Sequence, residues 1–167
     1  MEQILAIFES PQDSPKVVVS SESSKSTDLQ REIKSTRIQT NPPEYDLYIT
    51  NYRFVCAVVW DEETDVPEET SLPYDVAVHQ SYAPAKAEHR ASHQGKTADE
   101  IVDLHPKSLS IPFDEVDWVK IKKGFFGAHV EIRAPSRDKK PFKIPIPKKK
   151  YNEAKSILDT QLGGKLR

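Results

Sequence analysis

The chain has little that reactive chemistry requires. It carries one cysteine and five glycines among its 167 residues. A single thiol excludes an internal disulfide and fits a reducing compartment. Cys56 lies inside the apolar run "RFVCAVVW", where nothing nearby would lower its pKa, so a buried, inert thiol is expected. Five glycines supply neither a Walker loop nor G-x-G-x-x-G, and no G-x-S-x-G elbow or H-E-x-x-H pair occurs. An enzyme is therefore not expected, and no cofactor is assigned. No apolar run approaches the roughly 18 residues of a membrane-spanning helix. The start, "MEQILAIFES", has an early Glu and no cleavage-like site, so no signal peptide is expected. These absences point to a cytoplasmic location, with peripheral membrane association left open.

What is present is proline, charge and a division between the two. There are 13 prolines, which implies extensive loops, and hydrophobic residues make up only 37%. The net charge of −2 hides an asymmetry. Residues 1–117 carry 10 Lys and Arg against 22 Asp and Glu, whereas residues 118–167 carry 14 against 4. Opposite halves of this kind steer a partner or attract each other. Nucleic acid is not the expected partner, because the basic strands lack interleaved aromatic platforms.

Hydrophobic periodicity supplies the elements. "ILAIF" suits a first strand. Residues 9–29 are Ser-rich, and only "KVVVS" there pairs as a strand. Residues 31–40 suit an edge strand ended by Asn41-Pro42-Pro43. "YDLYITNYRFVCAVVW" (45–60) reads as two strands turning at Asn51-Tyr52. Phe54, Cys56, Val58 and Trp60 fall on one face and Val55, Ala57 and Val59 on the other, which predicts a central strand buried on both sides. Residues 61–71 are acidic and turn-like, with Asp61, Glu62 and Glu63 expected in a polar loop. "LPYDVAV" (72–78) reads as a returning strand. A helix is predicted over 84–94, with Pro84 at its first position and Gly95 as its stop. "TADE" (97–100) is a capping box opening a short helix that presents Ile101 and Leu104. Strands then recur at 108–112, 117–123, 129–133 and 141–146. Pro147 opens a helix to about 162, with Tyr151, Ala154, Leu158 and Leu162 in one stripe.

Three of these stretches resemble a known family. "LYITNYRFV" (47–55), "SIPFDEVDWVKIKKGFFG" (110–127) and "FKIPIPKKKYNEAKSIL" (142–158) are similar, in that order, to GRAM and bacterial or archaeal pleckstrin-homology-like domains. The resemblance implies a mainly β, α+β fold. It would be one domain over 1–167, an open barrel of about seven antiparallel strands plugged by a C-terminal helix. Residues 61–107 would be an insertion with one or two short helices. The basic site that lipid-binding members carry on their first strands does not transfer, because that region is Ser- and Pro-rich, with Lys16, Lys25 and Arg31 as its candidates.

The strongest functional signal is the basic set near the C-terminus. Lys120, Lys122 and Lys123 approach the "GFFG" turn, Arg137, Lys139 and Lys140 occupy the next turn, and Lys148, Lys149 and Lys150 open the last helix. Three lysines in a first helical turn oppose the helix dipole, by up to roughly 1 kcal/mol each. That local cost invites a functional reason: an anionic lipid headgroup, an acidic protein face or nucleic acid. The plainer reading is a solvated surface, or pairing with the acids of 61–69. Phe125 and Phe126 can dip into a bilayer interface or a partner's pocket, although folding back over the barrel mouth is the simpler expectation. His89 and His93, at i and i+4, can share a metal, with His79, His105 or Glu88 as further ligands, but no third-ligand motif supports one. The expected function is thus a non-catalytic interaction domain, with a metal-binding protein or metal-dependent enzyme built on His89 and His93 as the alternative.

Overall fold

The structure, a computed structural model, describes residues 1–11 and 41–167 in full, and the backbone of 18–21 and 36–39. Lys16, Lys25 and Arg31 lie outside the described residues. Among the described residues the architecture is mixed α+β, with antiparallel sheets of four and three strands that do not close into a barrel. One sheet has the order β1 (Ile4–Phe8), β4 (Glu44–Thr50), β5 (Arg53–Trp60), β6 (Leu109–Pro112). The other has the order β7 (Trp118–Lys123), β8 (Ala128–Arg133), β9 (Phe142–Ile146). Between β1 and β4 the chain adds a separate ladder of β2 (Val18–Ser21) and β3 (Thr36–Gln39).

The main core lies between the two sheets. Phe8, Leu47, Ile49, Phe54, Cys56 and Ile111 from the first sheet meet Val119, Val130, Ile132, Ile144 and Ile146 from the second. The C-terminal helix α4 (Tyr151–Leu162) adds the predicted stripe of Ala154, Leu158 and Leu162 to the same cluster. Burying such a side chain stabilises by roughly 1.5–3 kcal/mol each, so the helix is held by packing rather than by its caps.

The turn at Asn51-Tyr52 is where the sequence places it. Thr50 Oγ1 accepts from the Tyr52 and Arg53 N–H groups at 3.1 and 3.0 Å. Asn51 Oδ1 accepts from the Gln3 N–H at 2.8 Å, and the Asn51 N–H donates to the Gln3 carbonyl at 3.2 Å. Asn51 therefore ties β1 to the hairpin as well as making the turn.

β5 is buried on both faces because helices cover the side away from the core. Between β5 and β6 run α1 (Glu62–Asp65), α2 (Tyr74–His93) and α3 (Ala98–Asp103). α3 packs Ala98 and Ile101 on Tyr48, Val55 and Ala57, and α2 packs Ala77, Val78 and Tyr82 on Trp60 and Val66. The Thr97 capping box forms as expected, with the Glu100 N–H donating to Thr97 Oγ1 at 3.3 Å and the Thr97 N–H to Glu100 Oε2 at 2.7 Å. Leu104, by contrast, is exposed.

Of the strand expected at 72–78, Leu72 and Pro73 precede α2, and Tyr74–Val78 open that helix of 20 residues. "VAV" alternates, but Val78, Tyr82 and Lys86 also recur every four residues, and that longer period is the one that covers β5. Pro84 is inside the helix, not at its start. It is tolerated because Pro84 and Gln80 are both exposed, so the carbonyl deprived of its N–H partner faces solvent. Gly95, with φ +72°, stops the helix as expected.

Candidate docking surface

Strand alternation builds the basic face of β7. Val119 and Ile121 point into the core, and Lys120 and Lys122 point out. On β8 the outward positions opposite them are Glu131 and His129, and on β9 Lys143 stands beside Glu131. Glu131 is buried at the centre of this face, with Lys122 Nζ at 3.0 Å, His129 Nε2 at 3.1 Å and Lys143 Nζ at 3.7 Å. The Lys122 hydrogen bond holds its carboxyl below the usual carboxylate range against the opposing effect of burial. Lys143 was not among the expected contacts, although the alternation of "FKIPI" places it outward.

The β7–β8 turn closes through a hydrogen bond from the Gly124 N–H to the Gly127 carbonyl at 2.7 Å. Phe125 and Phe126 do not fold back over the core. They are 86% and 97% exposed, with their rings edge to face at 5.0 Å. Lys148 Nζ donates to the Phe125 carbonyl at 2.8 Å and stands 5.8 Å from the centre of its ring. Lys123, at the end of β7, lies 5.4 Å from the ring centre of Tyr151. Two adjacent apolar rings are thus held in water among cations.

Lys148–Lys150 form a separate 3-10 turn, and the α-helix begins only at Tyr151. The three lysines still sit at the positive end of the helix. Lys150 Nζ meets Glu153 at 2.6 Å, while Lys149 is exposed and has no partner among the described residues. The second basic turn lies elsewhere. Arg137 pairs with Glu115, its Nη2 donating to Oε1 at 2.9 Å, and Lys139 and Lys140 follow in the exposed loop after β8. β8 runs from Ala128, opposite Lys123, to Arg133, opposite Trp118, which separates the two turns by about 17 Å of strand. The nine basic residues therefore form two groups. Lys122, Lys123 and Lys148 lie at the phenylalanine tip, with Lys149 and Lys150 following Lys148 along a groove beside β1. Arg137, Lys139 and Lys140 lie at the other end of β8, and Lys120 lies between.

Among the described residues none of the acids at 61–69 pairs with the C-terminal lysines; Asp61, Glu63 and Asp65 find their cations within the insertion. Asp61 and Glu62 are buried rather than in a polar loop. Lys107 Nζ reaches Asp61 at 3.0 Å and Glu63 at 2.8 Å, and Tyr74 donates to Glu62 at 2.8 Å. His89 Nε2 lies 2.9 Å from Asp65 Oδ1. That hydrogen bond raises the His89 pKa against the effect of burial. His93 is buried, its ring 6.1 Å from Tyr48, and burial lowers its pKa. The two histidines thus meet different neighbours instead of lying exposed together. No group of three or more His, Cys, Asp or Glu is placed to hold a metal ion among the described residues. Two pairs that the sequence did not suggest pin α2 to β4: Lys86 with Glu44 at 3.2 Å and Arg90 with Asp46 at 2.8 Å.

No protein-family model, no curated protein and no solved structure matches the chain. Among the described residues no helix is long and apolar enough to cross a membrane.

Proposed function

We propose that the chain is a non-catalytic interaction domain that docks on an anionic membrane surface through the β7–β8 tip. The observation that carries this reading is the pair Phe125 and Phe126, almost fully exposed beside Lys148, with Lys123 ending the strand that leads into their turn. Leaving two such rings in water forgoes roughly 1.5–3 kcal/mol each, which a bilayer interface returns on docking. Each lysine near an anionic surface adds about 1 kcal/mol. The tip presents no carboxylate of its own, so apolar insertion and charge attraction act together. The plan of four plus three antiparallel strands with a C-terminal helix supports the resemblance to pleckstrin-homology-like domains. The docking element differs from the basic first strands of the family's lipid-binding members.

Co-sedimentation with vesicles of increasing phosphatidylserine content, across a salt series, tests the reading. Binding should rise with anionic lipid, fall with salt and fall again in Phe125→Ser/Phe126→Ser. Binding indifferent to salt, or absent, removes the membrane and leaves an acidic protein segment as the partner to seek by pull-down with the tip variant as control.

A further inference from the structure

The two sheets differ in what lies on their far faces. α2 and α3 cover the first sheet, whereas no apolar cluster forms on the outer face of β7–β9 among the described residues. Register places Lys120, Glu131 and Lys143 in one row across the three strands, and Lys122 and His129 in the next. The three lysines are exposed. Glu131 is the one carboxylate on these strands, and Lys122 and Lys143 both approach its Oε1, at 3.0 and 3.7 Å. An ammonium has three N–H donors, so both lysines keep donors for another acceptor. Lys120, opposite Glu131 in register, has no ion pair among the described residues.

We infer that this face binds an acidic protein segment in extended conformation. Lys120 and Lys122 lie two residues apart on one side of β7, a separation of roughly 7 Å, which is also the spacing of alternate side chains in an extended peptide. Lys143 stands two strands from Lys120, about 10 Å away. Acidic side chains at alternate positions therefore meet Lys120 and Lys122 in step, with Lys143 beside them. Glu131 holds Lys122 and Lys143 in place beforehand, so less side-chain freedom is lost on binding. Single-stranded nucleic acid fits less well. Trp118 is the one Trp, Tyr or Phe on the outer side of these strands, and the Arg167 guanidinium already lies 5.5 Å from its ring centre. Bases therefore find no open row of stacking platforms. Neither Lys120 nor Lys143 belongs to the phenylalanine tip, so this face and the membrane reading stand or fall separately.

Fluorescence anisotropy with a labelled peptide of alternating Glu and Thr, about ten residues long, tests the site. The wild-type chain should bind this peptide and not its Gln–Thr counterpart, with affinity falling at least tenfold between about 50 and 500 mM salt. Lys120→Gln/Lys143→Gln should weaken peptide binding about fivefold, while vesicle binding stays within about twofold of wild type. Should that variant not fold, backbone amide NMR shifts of the wild-type chain serve instead: the peptide should move Lys120, Glu131 and Lys143 and leave Phe125 and Phe126 in place. No peptide binding, equal binding of the Gln–Thr peptide, tighter binding of a deoxythymidine oligomer of the same length, unchanged affinity in the lysine variant, or shifts confined to the tip overturns the inference. Vesicle binding that falls together with peptide binding assigns the face to the membrane and overturns it too.

Discussion

Lys148 holds the β7–β8 tip from outside its own hairpin: its Nζ donates to the Phe125 carbonyl at 2.8 Å and stands over the Phe125 ring. The neighbouring Lys149 makes no such contact among the described residues. The two lysines therefore separate charge from tip geometry. Lys148→Met and Lys149→Met each remove one cation, which weakens vesicle binding by about fivefold. Lys148→Met should lower binding further, because the tip loses its outside anchor. Neither change should shift the melting temperature by more than a degree or two, since both groups are exposed. Equal losses in the two variants would show that the Lys148 contact does not organise the tip.

The phenylalanines make a separate prediction. Each of Phe125→Ser and Phe126→Ser should lower the vesicle partition coefficient about tenfold, with stability unchanged. The stability half discriminates, because a buried phenylalanine would cost about 3–5 kcal/mol when truncated. Urea unfolding of both variants measures it.

The readable parts of the chain are those whose pattern has one solution. Seven apolar residues in succession from Phe54 to Trp60 demand cover on both sides of β5, and the structure supplies it. The Thr97 capping box and the α4 stripe are equally local, so both could be placed from sequence. "LPYDVAV" failed because five residues of alternation also satisfy a helix, and only the partner across β5 decides. Asp61 and Glu62 failed for a related reason: an acidic run looks solvated until Lys107 and Tyr74, far along the chain, are brought to it. The basic residues were legible one by one. The strand at 129–133 already separates the two turns in the sequence, but the return of Lys148 to the first turn required the structure.

Arg90 and Asp46 show what holds the insertion on the sheet. Asp46 is buried, and Arg90 reaches it through Nε at 2.8 Å and Nη2 at 2.9 Å. The Ser10 N–H also donates to Asp46 at 2.7 Å. Replacing Arg90 with Met leaves a buried carboxylate without its cation, which should destabilise by about 3 kcal/mol. Arg90→Met/Asp46→Asn should recover much of that loss, and a double-mutant cycle by urea unfolding measures the coupling. Additive effects would mean that the pair contributes little.

Burial pushes the Cys56 thiol up to about 12. It should resist alkylation by iodoacetamide at about pH 8 in the folded chain and react freely in urea. Rapid native labelling would place a mobile segment at β5, the most buried strand among the described residues.

His89 joins α2 to α1 through Asp65, and its titration opposes that of the two buried histidines, His93 and His105. The Asp65 hydrogen bond raises the His89 pKa above its ordinary 6.5, so its contribution is complete below that value and fades as pH rises through the folded pKa. For Asp65, burial pushes the carboxyl up, but hydrogen bonds from His89 and the Asp61 N–H outweigh it and hold it below 3.8. Its share is present above that value and is lost in acid. The pair is therefore fully formed between the two values. Burial lowers His93 and His105, so those residues stabilise above 6.5 and lose that contribution as pH falls through their folded pKa. The wild-type melting curve mixes the two signs. His89→Gln isolates one of them: it should lower the melting temperature clearly at about pH 6 and hardly at about pH 8.5. Asp65→Asn should reproduce that pattern, and an equal loss at both pH values would show that His89 acts through packing alone.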